Sequence, residues 1–293
     1  MKPIGIVTDS TSSITPAMAA ALDILVLPMP FYIDGECYYE NAGLSRESFF
    51  ESQAAGKNIS TSQPAPEELT GLWDQALKEY KRILYFPISS GLSGSYSTAC
   101  VLAQEYPYAG RVFVVDAGRV STLLHQSILD AMKLIDEGYK ADEIKDIIEK
   151  SRSDFSIYIA VEQLDSLRRG GRISSTAAAL GSLLGIKPVL SLTVGKLDLS
   201  QKVRGSKNAR KAMIAAIEKD LSTRFAAARD RGEVTVMIAG SADEATTESW
   251  VNQVKEAFPN LPVLYDDLPL NICAHIGQGG LGIGLSCQPQ RPQ

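Results

Sequence analysis

Five serines crowd one short stretch of the chain. Ser89, Ser90, Ser93, Ser95 and Ser97 lie in a segment that also carries Gly91 and Gly94. Before it, residues 82–88 read as a buried strand; after it, a helical pattern starts at about Tyr96. A strand that turns through glycines into a helix leaves backbone N–H groups and the positive end of the helix dipole at the turn. Such a turn favours an anion. No Lys or Arg occurs between Arg82 and Arg111. Neutral hydroxyl donors without a fixed cation suit a weakly charged anion, such as a carboxylate, better than a polyphosphate. The alternative is a helix cap with spare serines, since Ser is common at caps and turns.

Other groups could join this site. Thr61 and Ser62 precede Gln63-Pro64-Ala65-Pro66, where the prolines start a new helix. Asp9-Ser10-Thr11-Ser12 ends the first apolar strand, and Asp116 ends another. His275 opens the glycine-rich run His275–Gly280, whose backbone can approach a ligand closely. His125, on an expected helix, reads as a packing residue. Gly91–Ser95 is close to a G-x-S-x-G nucleophile elbow with Ser95 in the last place. With His275 and Asp266 or Asp267 it would make a serine esterase or thioesterase, the rival reading. A binder of another small carboxylate is the second rival. No Walker loop or dinucleotide fingerprint is present.

Composition narrows the field. The chain has 293 residues, 45% hydrophobic and 22% charged, with a net charge of −5, which gives no reason to expect nucleic acid or an anionic membrane as partner. No run of about 18 apolar residues suggests a membrane span, and no secretory leader is expected from the first residues. Four cysteines without CxxC spacing and two histidines give no basis for a metal site. They fit a reducing, cytoplasmic compartment.

The elements that must position these residues alternate, strand then helix, over the first 150 residues. That pattern predicts a parallel sheet with helices on both faces, with ligands beyond the carboxyl ends of its strands. Asp9–Ser12, Ser60–Ser62, Ser89–Ser95 and Asp116 should then gather on one edge. Past Ser151–Asp154 the pattern changes. A strand over 156–161 leads to a short helix, 162–167, and a basic turn, Arg168-Arg169-Gly170-Gly171-Arg172. An apolar helix over 177–184 follows, then a hairpin around Gly195-Lys196. Long helices are expected over about 207–228 and 246–258, with strands at 234–239, 262–265 and 281–285. Strands without crossovers imply antiparallel pairing. The expected fold is α/β in two domains. Residues 1–153 form a parallel-sheet α/β/α domain carrying the hydroxyl-rich loops. Residues 154–287 form an α+β domain with a mixed, partly antiparallel sheet, and 288–293 a flexible tail.

Seven motifs in order give a further reading. They are T-D-S-T at Thr8–Thr11, T-S-Q-P-A-P at Thr61–Pro66, S-S-G-L-S-G-S-Y at Ser89–Tyr96 and L-R-R-G-G-R-I-S at Leu167–Ser174, then L-L-G-I-K-P at Leu183–Pro188, K-V-R-G at Lys202–Gly205 and H-I-G-Q-G at His275–Gly279. Together, over about 4–286, they resemble the DegV family, the fatty-acid-binding subunits of bacterial fatty acid kinases. The resemblance implies a long-chain fatty acid, palmitate for example, as ligand, with no other cofactor and no chemistry of the chain's own. It implies a carboxylate held at Thr61, Ser93 and His275, supported by Ser62, Ser89, Gly94 and Ser95. It further implies an acyl chain sheathed by the second domain. Arg172 and Arg204 are expected to face a partner kinase that makes acyl phosphate for phospholipid synthesis. A sixteen-carbon tail would gain about 12 kcal/mol gross on burial, at about 0.8 kcal/mol per CH₂. Two departures stand out. Gln278 replaces a usual proline, so the loop carrying His275 should be less rigid. Leu123, Leu124 and His125 fill positions where the family tends to have small residues, and should reshape the cavity.

Overall fold

The caps written into the sequence set where the first elements begin and end. The computed structural model describes residues 1–40, 42–178, 185–192 and 195–291. Strand β1 (Lys2–Asp9) ends in a single 3-10 turn, and helix α1 (Pro16–Leu22) starts on a Thr15 cap whose hydroxyl accepts from Met18 N–H. Then come β2 (Ile24–Leu27), β3 (Pro30–Ile33), β4 (Glu36–Tyr39), α2 (Arg46–Ala54), β5 (Ile59–Thr61) and α3 (Pro66–Glu79). The N-terminal region closes with β6 (Tyr80–Phe86), α4 (Ser95–Leu102), β7 (Val112–Val114), α5 (Thr122–Asp136) and α6 (Ala141–Lys150).

β2, β1, β6 and β7 form a parallel sheet in that order, with Ile6 opposite both Ile24 and Leu84. Helices α5 and α6 cover one face around Leu84, Ile128 and Ile144; α3 and α4 cover the other around Trp73 and Ala99. β5 departs from the expected arrangement. It pairs with β3 in a separate antiparallel sheet, β4-β3-β5, with Thr61 opposite Phe31. Thr61 therefore reaches the site from a different sheet than the serine loop. A short β-branched strand ending in Thr-Ser reads the same in either sheet, so sequence cannot separate the two.

The C-terminal region is built on a mixed sheet. Its elements are β8 (Phe155–Ala160), α7 (Asp165–Gly170), α8 (Ser175–Ala178), β9 (Ile186–Leu192), β10 (Leu197–Arg204), α9 (Ser206–Ser222), α10 (Ala226–Asp230), β11 (Val234–Gly240), α11 (Glu244–Ala257), β12 (Val263–Asp267), α12 (Leu270–Ile276) and β13 (Leu281–Cys287). The strand order is β10-β9-β8-β13-β11-β12, antiparallel except for β11–β12. Helices α9 and α11 cover its outer face through Met213, Ile217 and Trp250. Residues 179–184, most of the expected apolar helix, lie outside the described residues. Gln288 N–H donates to Glu233 O and Arg291 pairs with Glu137, so the chain is held against the body as far as Arg291.

Two helices differ from the sequence pattern. The long helix expected over 207–228 breaks after α9, where Ser222 and Thr223 hydroxyls both bond back to Lys219 O and Phe225 turns into the core. The expected basic turn at 168–172 is mostly helix: α7 runs through Gly170, and Gly171 closes it at φ 69°.

Candidate functional site

A cavity of about 350 Å³ lies between the carboxyl ends of the parallel strands and the inner face of the mixed sheet. Most of its wall is apolar. Met29, Ile88, Leu92 and Val120 come from the N-terminal region; Ile157, Ile159, Met237, Ile238, Leu268 and Ile283 come from the C-terminal one. Thr61, Ser62, Ser93, Gly94, Arg172, Asn271 and His275 supply polar atoms on the same wall.

The serine loop is held rigidly from behind. Asp9 is fully buried; it accepts from Thr11 N–H and Ile88 N–H, both at 2.9 Å, and burial pushes its carboxyl up to about 6. Asp116 was expected at the site, but it is spent on the loop's frame. It accepts from Ser90 Oγ at 2.5 Å, from Gly118 N–H at 3.0 Å and from Arg152 at 2.7 Å. Ser93 N–H donates to Ser89 O at 3.2 Å, so that N–H is not free for an anion. The Ser93 oxygen accepts from Ser95 N–H at 3.2 Å and lies 3.0 Å from Ser95 Oγ. Both contacts can be accepted by that oxygen, which leaves the Ser93 hydroxyl proton for a ligand. Ser89 and Ser95 are buried behind the wall and do not line it.

Thr61 and His275 meet directly, with Oγ1 and Nε2 2.9 Å apart. Sequence suggested a histidine in a loop; the structure puts it in the last turn of α12, with Pro269 before the helix and Gly277 closing it at φ 80°. Those two residues were the missed helix signals. The helix is clamped from α2. Arg46 donates to Leu268 O at 2.7 Å and Gln53 to Cys273 O at 3.2 Å. Leu270 N–H donates to Glu40 at 3.1 Å, and burial holds the Glu40 carboxyl up at about 7. Gly170 packs on the imidazole so tightly that a Cβ there would lie 2.2 Å from Nδ1. The loop after His275 is pinned by Ser241, which donates to Gly277 O at 2.6 Å and accepts from Gly280 N–H at 2.9 Å. Gln278 itself is exposed.

Arg172, expected to face a partner, is half-buried at the cavity. It lines the cavity, with Nε donating to Leu92 O at 3.2 Å and Nη1 bonded to Gly170 O. The serine loop lacks a cation of its own, yet the fold brings one to it from 80 residues away. Arg204 is exposed on β10. Of the bulky residues at 123–125, Leu123 lines the cavity and Leu124 packs into the parallel-sheet core. His125 is more than packing: its Nδ1 lies 3.1 Å from Asp266, and both are buried. That pairing also withdraws Asp266 from any triad with Ser93.

Burial, and then the nearby Arg172 charge, pull the His275 imidazole down to about 4. It is neutral at pH 7, so Nε2–H can donate to Thr61 while the Thr61 hydroxyl donates onward. The unfolded chain protonates His275 near 6.5, and between that pH and about 4 it binds more protons than the fold. Stability from this group is therefore lost as pH falls through that window, by up to about 3 kcal/mol. His275→Gln should gain on the wild type by up to that amount between pH 7 and pH 4 in denaturant titrations. A constant difference across the range would show that the imidazole is not held neutral.

Comparisons with known proteins place the whole chain. Residues 3–288 match the model of the DegV family, described as uncharacterised proteins. A DegV domain-containing protein from Deinococcus radiodurans is 33% identical over 283 residues, 96% of this chain and 98% of the relative. Among solved structures, a DegV family protein from Thermus thermophilus, described for its fatty acid binding, has 31% identity and a TM-score of 0.85; the match covers 97% of this chain and 99% of that one. DegV from Bacillus subtilis, described as a fatty acid binding protein, has 26% identity and a TM-score of 0.83 over 98% of this chain and 100% of that one.

Proposed function

This chain belongs to the DegV family, and from that premise we propose that it is a carrier of long-chain fatty acid. The acyl tail lies in the apolar cavity, and the carboxylate is bound by Thr61 and Ser93, with neutral His275 behind Thr61 and Arg172 supplying charge. The observation that carries this reading is the cluster of hydroxyls and one guanidinium on a mostly apolar wall. A buried carboxylate requires hydrogen bonds, and this cluster provides them. Against the esterase reading, His275 Nε2 is paired with Thr61 and Asp266 is paired with His125.

The carrier would act in the cytoplasm and present the carboxylate to a partner kinase, which forms acyl phosphate for phospholipid synthesis. In support, Lys202 and Arg204 on β10 and Lys207 and Lys211 on α9 are exposed, on a chain of net charge −5. Such charges steer an acidic partner surface and lose that effect in salt.

Solvent extraction of purified protein followed by mass spectrometry should give a stoichiometric long-chain acid such as palmitate. Delipidated protein should bind the acid well and its methyl ester poorly, because the ester keeps the tail and loses the charge. A clean extract from protein that also refuses added acid would overturn the reading. Arg204→Ala should keep acid binding but lower acyl phosphate formation at limiting kinase, increasingly as salt rises. Full turnover would move the docking face elsewhere.

A further inference from the structure

Gln63 stands beside the serine loop with an amide nitrogen that has no hydrogen-bond partner among the described residues. The residue is half-buried and lines the cavity together with Thr61, Ser62, Ser93 and Gly94. Ser62 and Gly94 are exposed, so this part of the wall is the mouth. The Gln63 nitrogen differs from the unpaired polar atoms of the core, such as Trp73 Nε1 and Tyr85 Oη. Those are shut in by protein, and it is not.

Two constraints set where the amide points. Gln63 precedes the buried Pro64, and a residue before proline is held in an extended conformation. Its amide oxygen is fixed against the start of α4. Thr98 Oγ1 donates to Gln63 Oε1 at 3.1 Å, and a Cβ on Gly94 would lie 3.4 Å from the same oxygen. An amide group is planar, with its oxygen and its two N–H bonds on opposite sides. With the oxygen turned to Thr98 and Gly94, the N–H bonds turn away from that helix into the open space of the mouth. Ser93, next to Gly94 in the chain, also keeps its hydroxyl proton free, so the two donors converge.

A bound carboxylate needs such a donor. It has two oxygens and about four lone-pair positions. Thr61 and Ser93 would meet two of these, and Arg172 has already committed Nε to Leu92 O and Nη1 to Gly170 O. We propose that Gln63 is a further head-group donor: its amide N–H binds the carboxylate oxygen that faces the mouth, and Thr98 is the positioning residue that aims it. This rests on the carrier reading above.

The test is a displacement titration with palmitate at pH 8 on delipidated wild type, Gln63→Leu, Gln63→Glu, Thr98→Val and the Gln63→Leu/Thr98→Val double variant, each shown to be folded by its melting profile. Gln63→Leu should bind about tenfold more weakly than wild type. Gln63→Glu should be weaker still, because it sets an acceptor and a negative charge against the carboxylate. A merely structural role predicts the reverse order, since glutamate keeps the shape and still accepts from Thr98 while leucine does not. Thr98→Val should cost about threefold when Gln63 is present and nothing in the Gln63→Leu background. Binding by Gln63→Leu within about twofold of wild type overturns the proposal and leaves the carrier reading intact. So does binding by Gln63→Glu at least as tight as that by Gln63→Leu. A Thr98→Val loss that persists without Gln63 overturns the positioning role. Failure of wild type to bind palmitate overturns both the proposal and the carrier reading.

Discussion

Removing both head-group hydroxyls, in a Thr61→Val/Ser93→Ala double variant, lowers affinity for a long-chain fatty acid by at least about a hundredfold. In the proposed complex each hydroxyl would donate to a charged oxygen, and a hydrogen bond of that kind contributes about 1.5–3 kcal/mol. Two of them amount to about 3 kcal/mol or more, or over a hundredfold in dissociation constant. In the proposed complex the two side chains share one carboxylate, and each single variant should fall about tenfold. The variant should fold, because the serine loop is held by Asp9 and Asp116, but melt lower than wild type, because buried His275 Nε2 loses its Thr61 partner and Ser95 N–H loses Ser93 Oγ. Isothermal titration with palmitate and its methyl ester checks this: the acid should lose affinity and the ester should hardly change. An unchanged acid affinity would put the carboxylate at another point on the wall.

Arg119→Ala lowers the unfolding free energy by about 3–5 kcal/mol. The guanidinium is 2% exposed and joins the two regions. One nitrogen donates to Ser127 Oγ on α5 and to Ser286 Oγ on β13; the other reaches Ser151 O and Asp154 O where the regions connect. Burial pulls the Arg119 pKa below its ordinary value, and the largest opposing influence is Asp130. Burial likewise pushes the Asp130 carboxyl up, held back first by Arg119. Alanine removes the cation, leaves a cavity beside Phe155, takes the donor from Ser151 O, Asp154 O, Ser127 Oγ and Ser286 Oγ, and removes the largest of the positive charges acting on buried Asp130, which keeps Lys133 and Arg291. Arg119→Met separates these effects by keeping the stem volume, and should recover part of the loss. Denaturant unfolding reads both, and a midpoint for Arg119→Ala within error of wild type would sink the assignment.

Much of the frame was legible because its signals are local. The prolines at 64 and 66 open α3, and the serine-glycine turn after residue 88 leads into α4, by cap and turn chemistry that acts within a few residues. Thr61, Ser93 and His275 were found through motifs, not geometry, and the structure adds the 2.9 Å contact that joins two of them. What stayed hidden depends on long-range packing. Arg172 looks like one more charge in a basic run until the fold lays that run against Leu92. The Thr223 break competes with a good helical pattern and is decided by Phe225 reaching the core.

The cavity wall has a thermodynamic consequence. Its apolar residues come from both the parallel and the mixed sheet, so an occupant sits where a single-piece protein would have core. Ligand and fold are then linked: whatever fills the space binds the native chain and not the unfolded one. At a free concentration about a hundredfold above its dissociation constant, it adds about 2.7 kcal/mol to stability. That increment is comparable to the whole contribution of a buried leucine. If the proposed ligand is bound, a batch of this protein should therefore melt at a temperature set by the occupancy of the cavity, and the filled and emptied forms should unfold as two separate transitions when exchange is slow.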